Sequence, residues 1–138
     1  MSYPSYVLTT IGRVESPLRD PARAPKQGHE GSPDAWLAFD ERFTDGIRDL
    51  KVGSTVLVLT WLDRARRDIL LVRPRDNSAN PLTGVFSTRS ADRPNPIGLH
   101  RVDIMDIQGL RIRVRHLEAI DGTPILDVKP VLDNNAER

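Results

Sequence analysis

The chain has 138 residues, enough for one hydrophobic core and too few for two, so a single domain over residues 1–138 is expected. Hydrophobic residues make up 38% and charged residues 28%, which excludes a disordered chain, and a net charge of +1 gives no overall pull toward a polyanion. No stretch approaches the roughly 18 apolar residues of a membrane helix, and the amino terminus lacks the basic-then-apolar order of a signal peptide. Cysteine is absent, which removes disulfides, thiolate catalysis and the common structural zinc sites. The expected compartment is the cytoplasm, with neither membrane nor metal.

In chain order, residues 6–15 read as a first strand rich in β-branched and aromatic side chains, with Gly12 marking a bulge. Residues 16–33 form a long irregular stretch with Pro17, Pro21, Pro25 and Pro33, and a loop of that length in a small domain points to function or disorder. Residues 35–39 read as a strand. Phe43, Ile47 and Leu50 then recur at helical spacing, with Asp40 placed to cap the helix. Residues 54–62 are a run of Val and Leu expected to be buried on both faces. Residues 68–72, stopped by Arg73-Pro74, and residues 83–87 read as short strands, followed by a longer one over 99–107. Residues 110–117 alternate, placing Leu110, Ile112, Val114 and His116 on an apolar face and Arg111, Arg113 and Arg115 on the other. His116 is expected to be a hydrogen-bonded packing residue. Residues 125–128 make the last strand. Short strands between turn signals, one short helix and no βαβ rhythm indicate a mainly-β barrel or sandwich with a long proline-rich loop near its start.

Dinucleotide, P-loop and nucleophile-elbow signatures are missing, and His29, His100 and His116 lack metal-ligand spacing. Seventeen arginines stand against three lysines; the bias suits phosphate recognition, and a codon bias gives the same ratio without function. The dense segment is Val85-Phe86-Ser87-Thr88-Arg89-Ser90-Ala91-Asp92-Arg93-Pro94-Asn95-Pro96-Ile97-Gly98-Leu99. Two arginines on a proline-stiffened loop can hold an anion, or they can be solvated or paired with Asp92, and Gly98 permits a close backbone approach. Asp121-Gly122 by itself says no more than a tight turn.

Taken together these segments resemble one family. Ile11-Gly12, Ser16-Pro17, Pro25-Lys26-Gln27-Gly28, Gly84-Val85-Phe86-Ser87-Thr88-Arg89-Ser90, Arg93-Pro94-Asn95-Pro96-Ile97-Gly98-Leu99, Asp121-Gly122-Thr123-Pro124 and Asp127-Val128-Lys129-Pro130 occur in the order of the TsaA-like family. Its characterised bacterial members are S-adenosylmethionine-dependent tRNA methyltransferases of the TrmO type. The resemblance implies a single-domain β-barrel, a homodimer, and methylation of N6 of threonylcarbamoyladenosine beside the tRNA anticodon. It also implies a cofactor site drawn from Gln27, Gly28, His29, Leu62, Asp63, Arg89, Leu99, Ile120, Asp121, Gly122, Thr123 and Pro124.

In that site Leu62 and Leu99 would pack on the adenine and Asp63 or Asp121 would accept from the ribose or the α-amino group. Arg89 would pair with the tail carboxylate or with an RNA phosphate. Asp121 is the nominee for the base, and Arg93, ahead of Arg64, Arg66 and Arg67, for a clamp on the threonylcarbamoyl group. One departure is Trp61-Leu62-Asp63, where the family usually has His after the aromatic residue, so a carboxylate stands in place of an imidazole. The alternatives are a module that binds S-adenosylmethionine as a sensor or methylates a smaller acceptor, and a scaffold that has lost the chemistry.

Overall fold

The alternation Arg111-Ile112-Arg113-Val114-Arg115 folds as its pattern dictates: Ile112 and Val114 are fully buried and the arginines point outward. The same period of two governs each long strand of the computed structural model, which describes residues 2–18 and 34–132. The strands are β1 (Gly12–Glu15), β2 (Ala35–Phe39), β3 (Thr55–Trp61), β4 (Leu71–Val72), β5 (Thr83–Gly84), β6 (Ile97–Gln108), β7 (Arg111–Arg115) and β8 (Pro124–Pro130). Six of them pair antiparallel in the order β1-β2-β7-β6-β3-β8, and β1 pairs with β8 to close the ring; β4 and β5 make a separate two-stranded sheet. Val14, Leu37, Val58, Val102, Ile104, Ile112, Val114 and Ile125 fill the interior. Each such side chain contributes about 1.5–3 kcal/mol on burial.

One end of the ring is closed by a 3-10 turn (Glu41–Phe43) running into the short helix α1 (Thr44–Ile47). Asp40 caps the turn as its position predicts, accepting from the Arg42 amide. Ile47 and Leu50 pack on the core beside Ile107 and Leu110. The opposite pole gathers the carboxyl ends of β1, β3 and β7 and the amino ends of β2, β6 and β8, since Arg13 pairs with Pro124, Trp61 with Ile97 and Ala35 with Val114. Leu18 and Asp34, the residues that flank segment 19–33, follow β1 and precede β2 at this same pole.

Several expectations need correction. The first strand covers only Gly12–Glu15, paired along its length with β2 and through Gly12 and Arg13 with β8; residues 2–10 are exposed and lie outside any strand. Gly12 sits in continuous register and makes no bulge. The irregularities lie instead between Leu59 and Thr60 and between Ile104 and Asp106. β3 is buried on one face and half-buried on the other, because a ring of strands has an outside. Only Thr83–Gly84 of the run 83–87 is strand, and Val85–Ser87 turn as a 3-10 helix. His116 leaves β7 at φ 75°, which swings it off the apolar face into a half-exposed position 3.8 Å from Asp103. No described helix is long and apolar enough to cross a membrane.

Candidate functional site

Among the described residues the buried polar side chains are Ser16, Thr60, His100 and Thr123, and all four lie toward the pole that carries the expected site residues. Each is satisfied within the fold. Ser16 Oγ accepts from the Leu18 amide at 3.1 Å, and Thr123 Oγ1 donates to the Ile120 carbonyl at 2.6 Å. Thr60 Oγ1 lies 2.7 Å from His100 Nε2, while His100 Nδ1 lies 2.6 Å from Glu118 Oε1. The remainder of the interior is apolar, so this pole is built to a different chemistry from the helix-capped end.

Two loops rise above this polar layer and are laced together. The Arg66 amide donates to Asp92 Oδ1 at 2.8 Å, the Arg93 amide to the Arg66 carbonyl at 3.0 Å, and the Leu62 amide to the Pro96 carbonyl at 2.8 Å. Arg67 donates to the Pro94 carbonyl and to Asn95 Oδ1, and its guanidinium lies 5.1 Å above the ring of Trp61. Arg66 and Asp68 form a two-bond pair that raises the guanidinium pKa and lowers the carboxyl pKa. Arg66 and Arg67, two of the expected clamps, are thus hydrogen-bonded within the protein while remaining exposed.

Arg93 is likewise turned inward. It donates to the carbonyls of Val85, Thr88 and Ser90 at 2.7, 3.1 and 2.9 Å, so it braces the loop instead of reaching outward for an acceptor. Asp92 accepts from the Arg66 backbone and makes no ion pair with Arg93. Arg89, carried on that braced loop, is exposed and has no hydrogen-bond or ion-pair partner among the described residues.

Asp121 anchors the root of segment 19–33: its Oδ1 accepts from the Ser16 amide at 3.0 Å and its own amide donates to the Leu18 carbonyl. Gly122 follows at φ 86°, a left-handed position with open space beside its Cα. The turn Ile120, Asp121, Gly122, Thr123 and Pro124 is thus fixed against the end of β1. Leu62 is half-buried, Asp63 is exposed, and Leu99 projects from the outer face of β6, 43% exposed and opposite Leu59. Leu62, Asp63, Arg89, Leu99 and the 120–124 turn belong to the same pole. Gln27, Gly28 and His29 lie outside the described residues. Among those described, no cluster of His, Asp and Glu stands ready to hold a metal.

Sequence reasoning missed Thr60, His100 and Glu118. The available signal was periodic: His100 falls on the inward phase of Gly98, His100, Val102 and Ile104, where an imidazole needs partners. The outward arginines of β7 are mostly neutralised locally, Arg111 by Glu15 at 2.8 Å and over the ring of Trp36, and Arg113 by Asp34 at 3.3 Å.

A small antiparallel ring of strands, polar beneath one pole and crossed there by two laced loops, defines the class of domain. Residues 13–135 match the tRNA-methyltransferase O N-terminal domain, and the chain belongs to that family. An S-adenosyl-L-methionine-binding protein of Archaeoglobus fulgidus is 39% identical over 123 residues, covering 89% of this chain and 87% of that protein. A probable S-adenosyl-L-methionine-binding protein of the same organism is 41% identical over 123 residues, and there the match spans only 33% of the relative's length. The crystal structure of TrmO from Pseudomonas aeruginosa superposes with a TM-score of 0.73 at 24% identity, over 98% of this chain and 61% of that one.

Proposed function

We propose that this chain is an S-adenosylmethionine-dependent methyltransferase that modifies N6 of threonylcarbamoyladenosine beside the tRNA anticodon, acting in the cytoplasm as a homodimer and without metal. The observation that carries the reading is family membership across residues 13–135, joined to an unpartnered Arg89 on a braced loop at the polar-floored pole.

The groups present suit the cofactor. Leu62 and Leu99 offer apolar faces for an adenine, Asp63 an exposed carboxylate for hydroxyls or an amine, Arg89 a guanidinium for a carboxylate, and Gly122 an open backbone. Gln27, Gly28, His29, Ile120, Thr123 and Pro124 complete the set. When bound, the cofactor supplies a methyl on its sulfonium; transfer forms the N6–carbon bond, breaks the sulfur–carbon bond, leaves a thioether and releases one proton. Asp121, held by the Ser16 amide, takes that proton. Alignment of the acceptor supplies most of the acceleration, and the lacing of the 62–68 and 88–96 loops keeps the pole rigid enough to provide it. Arg93 contributes by holding Arg89 in place. The homodimer is supported by an outward apolar row, Leu59 opposite Leu99 and Trp61 opposite Ile97, with Phe86 79% exposed.

The test is a calorimetric titration with S-adenosylmethionine, followed by methyl incorporation into tRNA from cells with and without the threonylcarbamoyl modification. Binding, with incorporation only into modified tRNA, is expected; equal incorporation into both removes the acceptor assignment, and absence of binding at millimolar cofactor removes the whole reading. A second reading, a binding module that does not methylate tRNA, is favoured by the similar-length Archaeoglobus relative, an S-adenosyl-L-methionine-binding protein. Cofactor bound with no tRNA methylated selects it.

A further inference from the structure

We infer that Thr60, His100 and Glu118 form a positioning relay that sets the spacing of the three segments from which the proposed cofactor site is built; the inference rests on that proposal. The three side chains come from three parts of the chain. Thr60 ends the inward row of β3, immediately before Trp61, Leu62 and Asp63. His100 follows Leu99 on β6. Glu118 lies between β7 and β8, shortly before Ile120 and Asp121. Every member of the relay is one or two positions from a residue assigned to the cofactor.

The contacts are short, at 2.7 and 2.6 Å, and shielded, with His100 4% exposed and Glu118 16%. A carboxylate only accepts, so His100 Nδ1 donates to Glu118 Oε1; in the neutral ring Nε2 then accepts from the Thr60 hydroxyl. The ring is fixed from both sides, which fixes its two partners relative to each other. The strand geometry is arranged around this contact. Gly98 stands directly opposite Thr60, and a Cβ there would collide with Thr60 Oγ1 and His100 Nε2. On its other side β3 shifts register between Leu59 and Thr60, so that Thr60 pairs with Ile125 at the start of β8.

A core of this size would be filled more simply by apolar side chains, because each buried polar group must be matched to keep its cost down. Among the described interior-facing residues such groups occur only toward this pole. Apolar packing tolerates sliding, whereas a hydroxyl–imidazole–carboxylate chain fixes distance and direction. The relay has no assigned contact with the cofactor. Its effect passes through Leu62, Leu99 and the 120–124 turn, so these three residues are positioning residues and not catalytic ones.

The experiment compares Thr60→Val, Thr60→Ser and Glu118→Gln with a core control, Ile112→Ala, which lies on β7 away from the relay. Cofactor affinity by calorimetry, the KM and kcat of methylation, and the melting temperature are read for each folded protein. Thr60→Val and Glu118→Gln should raise the cofactor Kd and KM by about tenfold or more, and Thr60→Ser, which keeps the hydroxyl, should restore them. Ile112→Ala should lower the melting temperature at least as much while leaving the Kd unchanged. Equal Kd values for Thr60→Val and wild type, or a Kd rise in Ile112→Ala matching its loss of stability, overturns the relay while leaving the cofactor site intact. A wild-type protein that binds no cofactor overturns the site and the relay together.

Discussion

Gly98 faces Thr60 across the β3–β6 pair, and the missing side chain is what lets the Thr60 hydroxyl reach the His100 ring. The glycine serves packing inside the protein, not approach to a ligand. Gly98→Ala should therefore destabilise the fold by about 1–3 kcal/mol, as overpacking of a filled interior does. Urea unfolding of the apo protein measures this directly, and unchanged stability would show that β3 and β6 can separate at low cost.

Arg89 and Arg93 stand on the same loop and should behave in opposite ways. Arg89→Ala removes no hydrogen bond or ion pair with the described residues, so stability should move by less than about 0.5 kcal/mol while turnover falls. Arg93→Ala releases three carbonyls of the 85–90 segment and should cost about 1–3 kcal/mol, with faster proteolysis of the loop. Denaturation and limited proteolysis of the two variants separate the exposed arginine from the bracing one.

In the proposed reading Asp121 is both an anchor and a base, and one substitution can divide the two. Asp121→Asn keeps an oxygen acceptor for the Ser16 amide, so that bond should survive, whereas loss of the proposed base should lower kcat by about 10²–10⁴-fold. Asp121→Ala should lose both. If Asp121→Asn turns over normally, the carboxylate is an anchor only.

The helix-capped end carries a pH-dependent contact. The Arg42 amide first, and then its side chain, hold the Asp40 carboxyl below its ordinary pKa. A pKa lowered by folding gives stability that is present above the unfolded-chain value and is lost as pH falls through the folded value. Asp40→Ala should therefore be less stable than wild type at about pH 7, and the gap should close toward about pH 3. Denaturant midpoints at both values check it; a constant gap would mean the carboxylate charge contributes nothing.

The sequence made β2 and β7 readable because both alternate cleanly against the core. Residues 6–10 misled because strand propensity describes a side chain's fit to a sheet and says nothing about whether a neighbouring strand is there. His116 misled because a single positive φ reverses the phase of an otherwise regular alternation. The motif pointed to Arg89 and the 120–124 turn, which stand at the same pole as Leu62 and Leu99. It could not show that Arg93 bonds to carbonyls five and eight residues back, since that depends on how the loop folds on itself. The Thr60–Glu118 bridge was out of view for the same reason: its members are far apart in the chain and share no local pattern.

Arg67 over Trp61 has a practical consequence for observing this protein. The chain has two tryptophans, Trp36 on β2 and Trp61 on β3, strands that lie diametrically across the ring. Each indole is covered by a guanidinium, but only Trp61 leads directly into Leu62 and Asp63. Its emission is an intrinsic optical readout of the loops at that pole, and Trp36 provides an internal reference on the far wall. Replacing either indole with phenylalanine resolves the two signals without attaching a dye.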